Sequence, residues 1–151
     1  MKTLVNAILI FAFVGVSAAV DLPDEPPDDF FMAFDAFDFN VPASAADVYS
    51  FRFTASASGS ATLKVAGSKK VTFDIDGKSV EKLYNAVRGL WETMGPIPKG
   101  IVWTRKIHVI ADGNEASFLV NNEVIEPSKP LLKFEKAVLD VLDEERPGWR
   151  D

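Results

Sequence analysis

Apolar and polar residues alternate with a period of two over three successive stretches of the chain. Tyr49, Phe51, Phe53 and Ala55 alternate with Ser50, Arg52, Thr54 and Ser56, the pattern of a strand with one buried face. After the turn at residues 57–60, Ala61, Leu63 and Val65 alternate with Thr62 and Lys64. After Gly67-Ser68, Val71, Phe73 and Ile75 alternate with Thr72, Asp74 and Asp76. Half-buried strands joined by Gly/Ser turns predict an antiparallel meander.

The period then lengthens. Val80, Leu83, Tyr84, Val87, Leu90, Trp91 and Met94 recur at helical spacing, with Ser79 placed to cap the helix and Gly95-Pro96 to stop it. Gly89 lies inside this helix, where glycine costs up to about 1 kcal/mol against alanine. It either allows close approach to the sheet or is merely tolerated.

The order of elements repeats in the second half. Residues 101–111 are rich in Ile, Val and Trp, Asp112-Gly113 is a strong hairpin signal, and Ala116, Phe118 and Val120 continue beyond it. Asn121-Asn122 can turn the chain into a further short strand at residues 123–125. Ser128 is placed to cap a second helix, with Leu131, Phe134, Val138, Val141 and Leu142 on its buried side and Pro147-Gly148 at its end. The fold expected is α+β: an antiparallel sheet of about six strands with two helices on one face, built as βββα twice. The halves share element order but little residue identity, so no sequence repeat is evident.

On this arrangement the face away from the helices carries Ser50, Arg52, Thr54, Thr62, Lys64, Thr72 and Asp74 from the first half. The second half adds Lys106, His108, Ile110, Ser117 and Leu119, a less polar set.

The N-terminus follows another rule. Lys2 precedes a run from Leu4 to Val16 that is apolar apart from Asn6, and Ser17, Ala18 and Ala19 follow. These are the n-region, h-region and small-residue site of a secretory signal peptide, with cleavage before Ala19 or Val20. A spanning helix needs about 20 apolar residues, and this run meets Asp21 first. The expectation is an exported protein, secreted or periplasmic, with no stable membrane span after cleavage. No cysteine is present, so disulfides, thiolate metal sites, a cysteine nucleophile and a lipoprotein anchor are all excluded.

The acidity is local. Residues 21–47 hold eight acids and no base, while the whole chain carries a net charge of −6. The remainder is close to neutral and gives no electrostatic reason to expect a nucleic-acid partner. Residues 21–29, Pro- and Asp-rich, read as a disordered leader. Phe30, Phe31, Phe34, Phe37 and Phe39 then crowd five of the twelve phenylalanines into ten residues. Helical spacing fits Phe30, Phe34 and Phe37, and strand alternation fits residues 37–41. Either these rings dock on the protein's own domain, with Ile110 and Leu119 as the receiving surface, or residues 30–39 are displayed as a recognition segment for a protein partner. The organisation expected is a signal peptide (1–19), an acidic, partly disordered segment (20–47), a two-layer domain (48–146) and a tail (147–151).

No catalytic constellation is evident. His108, the lone histidine, sits mid-strand with no oriented partner apparent and reads as a surface residue. Asp74 and Asp76 precede Gly77 as in a calcium loop, but Thr72 and Leu83 stand where that loop needs an acid and a bidentate glutamate. No phosphate-binding glycine pattern occurs. Residues 143–145 are acidic at a helix C-terminus, where the dipole disfavours them, and read as a solvated, fraying end, as does Trp149 unless it folds back. No catalytic residue, metal ligand or cofactor is therefore assigned. The function expected is a small non-catalytic binding module, for a protein or a surface. The alternatives are a carboxylate-dependent hydrolase using Asp74 or Asp76, and a structural or inhibitor subunit.

Overall fold

A computed structural model of the chain describes residues 21–36, 50–92, 103–121 and 129–151. The expected signal peptide lies outside these residues. The meander is present as β2 (Phe51–Ser56), β3 (Ser60–Val65) and β4 (Val71–Asp74), and the Asp-Gly hairpin as β5 (Trp103–Ala111) and β6 (Asn114–Asn121). Asp112 and Gly113 both take positive φ, 51° and 71°, as a two-residue type I′ hairpin requires.

The two helices are α1 (Gly77–Glu92) and α2 (Lys129–Glu145). Each buries the stripe read from its periodicity: Val80, Leu83, Tyr84, Val87, Leu90 and Trp91 on α1, and Leu131, Phe134, Val138, Val141 and Leu142 on α2. Ser79 is not the cap of α1. The helix begins earlier, and Asp76 accepts the Ser79 backbone N–H at 2.7 Å, the usual N-cap bond. Ser128 and Met94 fall outside the described residues.

The sheet has six strands, all antiparallel, and the protein is α+β as expected. Its order is β4-β3-β2-β1-β5-β6. The strand joining the meander to the hairpin is β1 (Phe31–Ala36), drawn from the phenylalanine-rich segment. It pairs with β2 along one edge and with β5 along the other. The strand expected at residues 123–125 lies outside the described residues.

This placement revises the reading of the N-terminal segment. Phe30 and Phe34 are only 1 % and 2 % exposed; they belong to the core and are not displayed. Phe30 meets the Tyr84 ring edge-on at 5.0 Å, and Phe34 meets Phe134 at 5.3 Å. Phe31 points to the other face and is half-buried beside Ile110. Self-docking therefore holds for residues 30–36, as a sheet strand and not as a helix. Phe37 and Phe39 lie outside the described residues.

Residues 21–29 are not a free leader either. Leu22 is buried in the core, and the Pro23 carbonyl accepts the Tyr84 hydroxyl at 2.7 Å. Asp24 pairs with Arg88 at 2.8 Å. Both oxygens of Asp29 accept backbone N–H groups at the hairpin tip, from Asp112 and Gly113, at 2.7 Å each. Composition alone pointed to disorder, but a buried residue at each end ties the acidic stretch down.

The C-terminus also folds back. Trp149 packs edge-on against Phe51 at 5.1 Å and donates its indole N–H to Asp143. Glu145 accepts the Ser79 hydroxyl and the Asp76 backbone N–H, while Glu144 pairs with Lys82. The acids at the end of α2 thus serve the positive N-terminus of α1, which is why this end does not fray. Among the described residues, nothing lies within 4 Å of where a Cβ on Gly89 would stand.

Candidate functional site

Core residues of both helices and of the inward strand positions form one cluster. Among the described residues, the opposite face of the sheet bears no helix. Its side chains fall into three cross-strand rows, because each register aligns every second residue. The first row runs Asp74, Ser60, Ser56, Phe31, Ile110, Glu115. The second runs Thr72, Thr62, Thr54, Ala33, His108, Ser117. The third holds Lys64, Arg52, Asp35 and Lys106. Most of the outward set read from the sequence falls in these rows, with β1 inserted at its middle; Ser50 lies outside the strands, and the side chain of Leu119 lies outside the described residues.

The central row is small and hydrogen-bonded. Thr54 and Thr62 share a hydroxyl contact of 2.6 Å. Ala33 is only 2 % exposed. In the third row, Asp35 is a buried carboxylate and meets the Arg52 guanidinium at 3.2 and 3.3 Å, with Lys106 opposite it on β5. A buried acid needs such a partner, and Arg52 supplies it from the exposed side. Lys64 reaches the Ser68 carbonyl.

His108 has oriented partners after all. Its Nδ1 lies 2.9 Å from Ser117 Oγ, and its Nε2 lies 3.2 Å from Glu115 Oε1. The sequence carried the signal for this. A two-residue Asp-Gly hairpin pairs Ala111 with Asn114, and the same count then pairs His108 with Ser117. The arrangement brings a hydroxyl, an imidazole and a carboxylate into line on a half-exposed sheet surface. Arg105 points the other way, bonding Glu135 of α2 at 2.6 Å, and so does not join Lys106.

The sequence-level carboxylate candidates are separated. Asp74 is exposed at the end of β4, while Asp76 is occupied in capping α1. The Ser79 backbone N–H, the largest influence, holds the Asp76 carboxyl below its ordinary value. Burial pushes the Tyr84 phenol up. No group of three or more histidine or acidic side chains among the described residues is placed to hold a metal ion. No helix among them is long and apolar enough to cross a membrane.

The class these features define is a two-layer α+β protein with one polar sheet face that bears no helix among the described residues. No protein-family model matches the chain, and no curated protein matches it.

Proposed function

We propose that the protein is an exported, non-catalytic binding module whose contact surface is the helix-free face of the sheet. The observation that carries this reading is the division of labour between the two faces. The phenylalanines Phe30 and Phe34, the sequence's candidates for partner contact, lie in the core, while the three polar rows face outward. Such a face offers hydroxyl, charged and apolar groups over a broad, shallow area, as protein-binding surfaces do. Export rests on the sequence alone: Lys2, the apolar run from Leu4 to Val16 and the small residues Ser17, Ala18 and Ala19 are the parts of a signal peptide.

Affinity capture from the native extract tests the contact surface. Thr62→Arg places a long charged side chain in the middle of the face; Asn85→Arg, on an exposed position of α1, is the control. Capture is expected to be lost with the first and kept with the second, with both variants shown to be folded by circular dichroism. A capture pattern indifferent to Thr62→Arg would sink the reading. N-terminal sequencing of the natural product tests export: a chain beginning at Ala19 or Val20 supports it, and one retaining residues 1–19 refutes it.

One observation favours a second reading. The line Ser117–His108–Glu115 supplies a nucleophile, a base and an orienting acid, a better hydrolase candidate than Asp74 or Asp76. Its setting weighs against it, since acyl transfer also needs fixed donors for the oxyanion and exclusion of water, and these groups stand on a half-exposed surface. Turnover of nitrophenyl esters that disappears with Ser117→Ala would favour this reading over the first.

A further inference from the structure

The three rows differ in charge. The row of Asp74 and Glu115 holds two acids and no base, so it carries −2. The central row is neutral with His108 uncharged. The row of Lys64, Arg52 and Lys106 against Asp35 carries +2. The helix-free face is therefore acidic at one end of its strands and basic at the other.

We infer that this face pairs with the same face of a second copy, about a two-fold axis lying along the central row. This rests on the reading of the face as the contact surface and names its partner. A two-fold axis within the plane of contact has two simple orientations. Laid parallel to the strands, it sets acid row on acid row and basic row on basic row. Laid across the strands along Thr62, Thr54 and Ala33, it sets the acidic row of each copy over the basic row of the other. Only the second is electrostatically self-complementary, which an isologous dimer requires. Thr62, Thr54 and Ala33, the small side chains along this axis, suit the roughly 10 Å separation of stacked sheets. Phe31 and Ile110, adjacent and half-buried, gain further burial in this arrangement.

The size of the face sets the strength. Six strands at about 4.8 Å and three rows at about 6.8 Å give roughly 600 Å² per copy. A total near 1,200 Å² is at the lower end of specific interfaces. The dimer is accordingly weak, with a Kd on the order of 10–100 µM, and sensitive to salt.

Charge reversal with complementation tests this in the purified protein, using sedimentation equilibrium between about 5 µM and 1 mM, a window chosen to bracket that Kd. One variant, Lys64→Glu with Lys106→Glu, makes both outer rows acidic and spares the Arg52–Asp35 pair. The other, Asp74→Lys with Glu115→Lys, makes both rows basic. Each alone is expected to weaken self-association by about tenfold or more, with folding verified by circular dichroism. Mixed in equal amounts, they are expected to recover association, because each now opposes its complement. A wild-type protein that stays monomeric at 1 mM overturns the inference, as does a dimer indifferent to both reversals. Loss of extract capture with Thr62→Arg in a strictly monomeric protein overturns only the self-pairing and leaves the face as a surface for another partner.

Discussion

If β1 is the strand that closes the sheet, removing one ring from it must cost most of what a core phenylalanine contributes. Phe34 is the sharpest case. It is 2 % exposed, and its ring meets Phe134 of α2 at 5.3 Å and Phe51 of β2 at 5.7 Å, both edge-on. Withdrawing roughly 150 Å² of apolar surface at about 25 cal/mol/Å² gives about 4 kcal/mol. The cavity left between two layers adds to this, so Phe34→Ala belongs near the top of the 3–5 kcal/mol range for such changes. A domain of this size holds about 5–15 kcal/mol in total. In urea, with a slope of about 2 kcal/mol/M, the midpoint should fall by about 2 M or the protein should be unfolded at the start. Tryptophan fluorescence and far-ultraviolet circular dichroism both report the transition. Phe31→Ala, on the half-buried outer face of the same strand, is the internal control and should cost about 1 kcal/mol. A displayed aromatic arm predicts neither effect. Equal, small shifts for the two variants would refute the placement of β1.

Three further outcomes follow from particular contacts. Asp29→Ala removes the acceptor of two backbone N–H groups at the hairpin tip. It should lower stability by about 1–2 kcal/mol and speed amide hydrogen exchange at Asp112 and Gly113; unchanged exchange there would count against the bond. Gly59 should not accept alanine. At Gly59, where φ is +83°, a Cβ would stand 2.6 Å from the Ile75 carbonyl oxygen, so the substitution costs more than about 1 kcal/mol. Asp76 gives a pH dependence: its carboxyl is held below the ordinary 3.8, so the folded state binds that proton less readily than the unfolded chain. Its contribution is complete above that value and lost as pH falls through the lower folded value. Asp76→Asn should flatten the acid limb of stability against pH, and an unaltered limb would remove Asp76 from the account.

Local periodicity made most of the fold legible, and non-local pairing concealed the rest. Strands β2, β3 and β4 each have one wet face, so the alternation from Phe51 to Asp74 shows plainly. Both helices bury one stripe each, which a period of 3.6 reveals. Strand β1 has no such contrast. Met32, Ala33, Phe34, Asp35 and Ala36 are all buried, on both faces, so the segment lacks the period-two signal that marks a half-exposed strand. Asp35 misleads further, because its partner Arg52 lies on a different strand and no local pattern announces it. The outer face was readable strand by strand, whereas its sorting into acidic, neutral and basic rows requires the registers. Those registers pass through β1, the element the pattern hides. The pairing of His108 with Ser117 is the exception, since the Asp-Gly turn alone fixes it.

The same placement explains why so many acids surround a strand this apolar. Without β1, the described sheet separates into a three-stranded meander and a two-stranded hairpin. Phe31 pairs with Ile110, 79 residues further along the chain, so contact with β5 must await most of the polypeptide. Until then, the run from Phe30 to Phe34 is an exposed aromatic strand of the kind that aggregates. Eight acids and no base within residues 21–47 act against that by repulsion, as charges flanking such strands do. Folding then gives three of them fixed partners: Asp24 on Arg88, Asp29 on the hairpin tip and Asp35 on Arg52. A charge pattern that keeps the unfinished chain soluble thus becomes part of what locates its central strand. Under the export reading this has added force, because a chain crossing a membrane unfolded must carry that strand exposed for the whole passage.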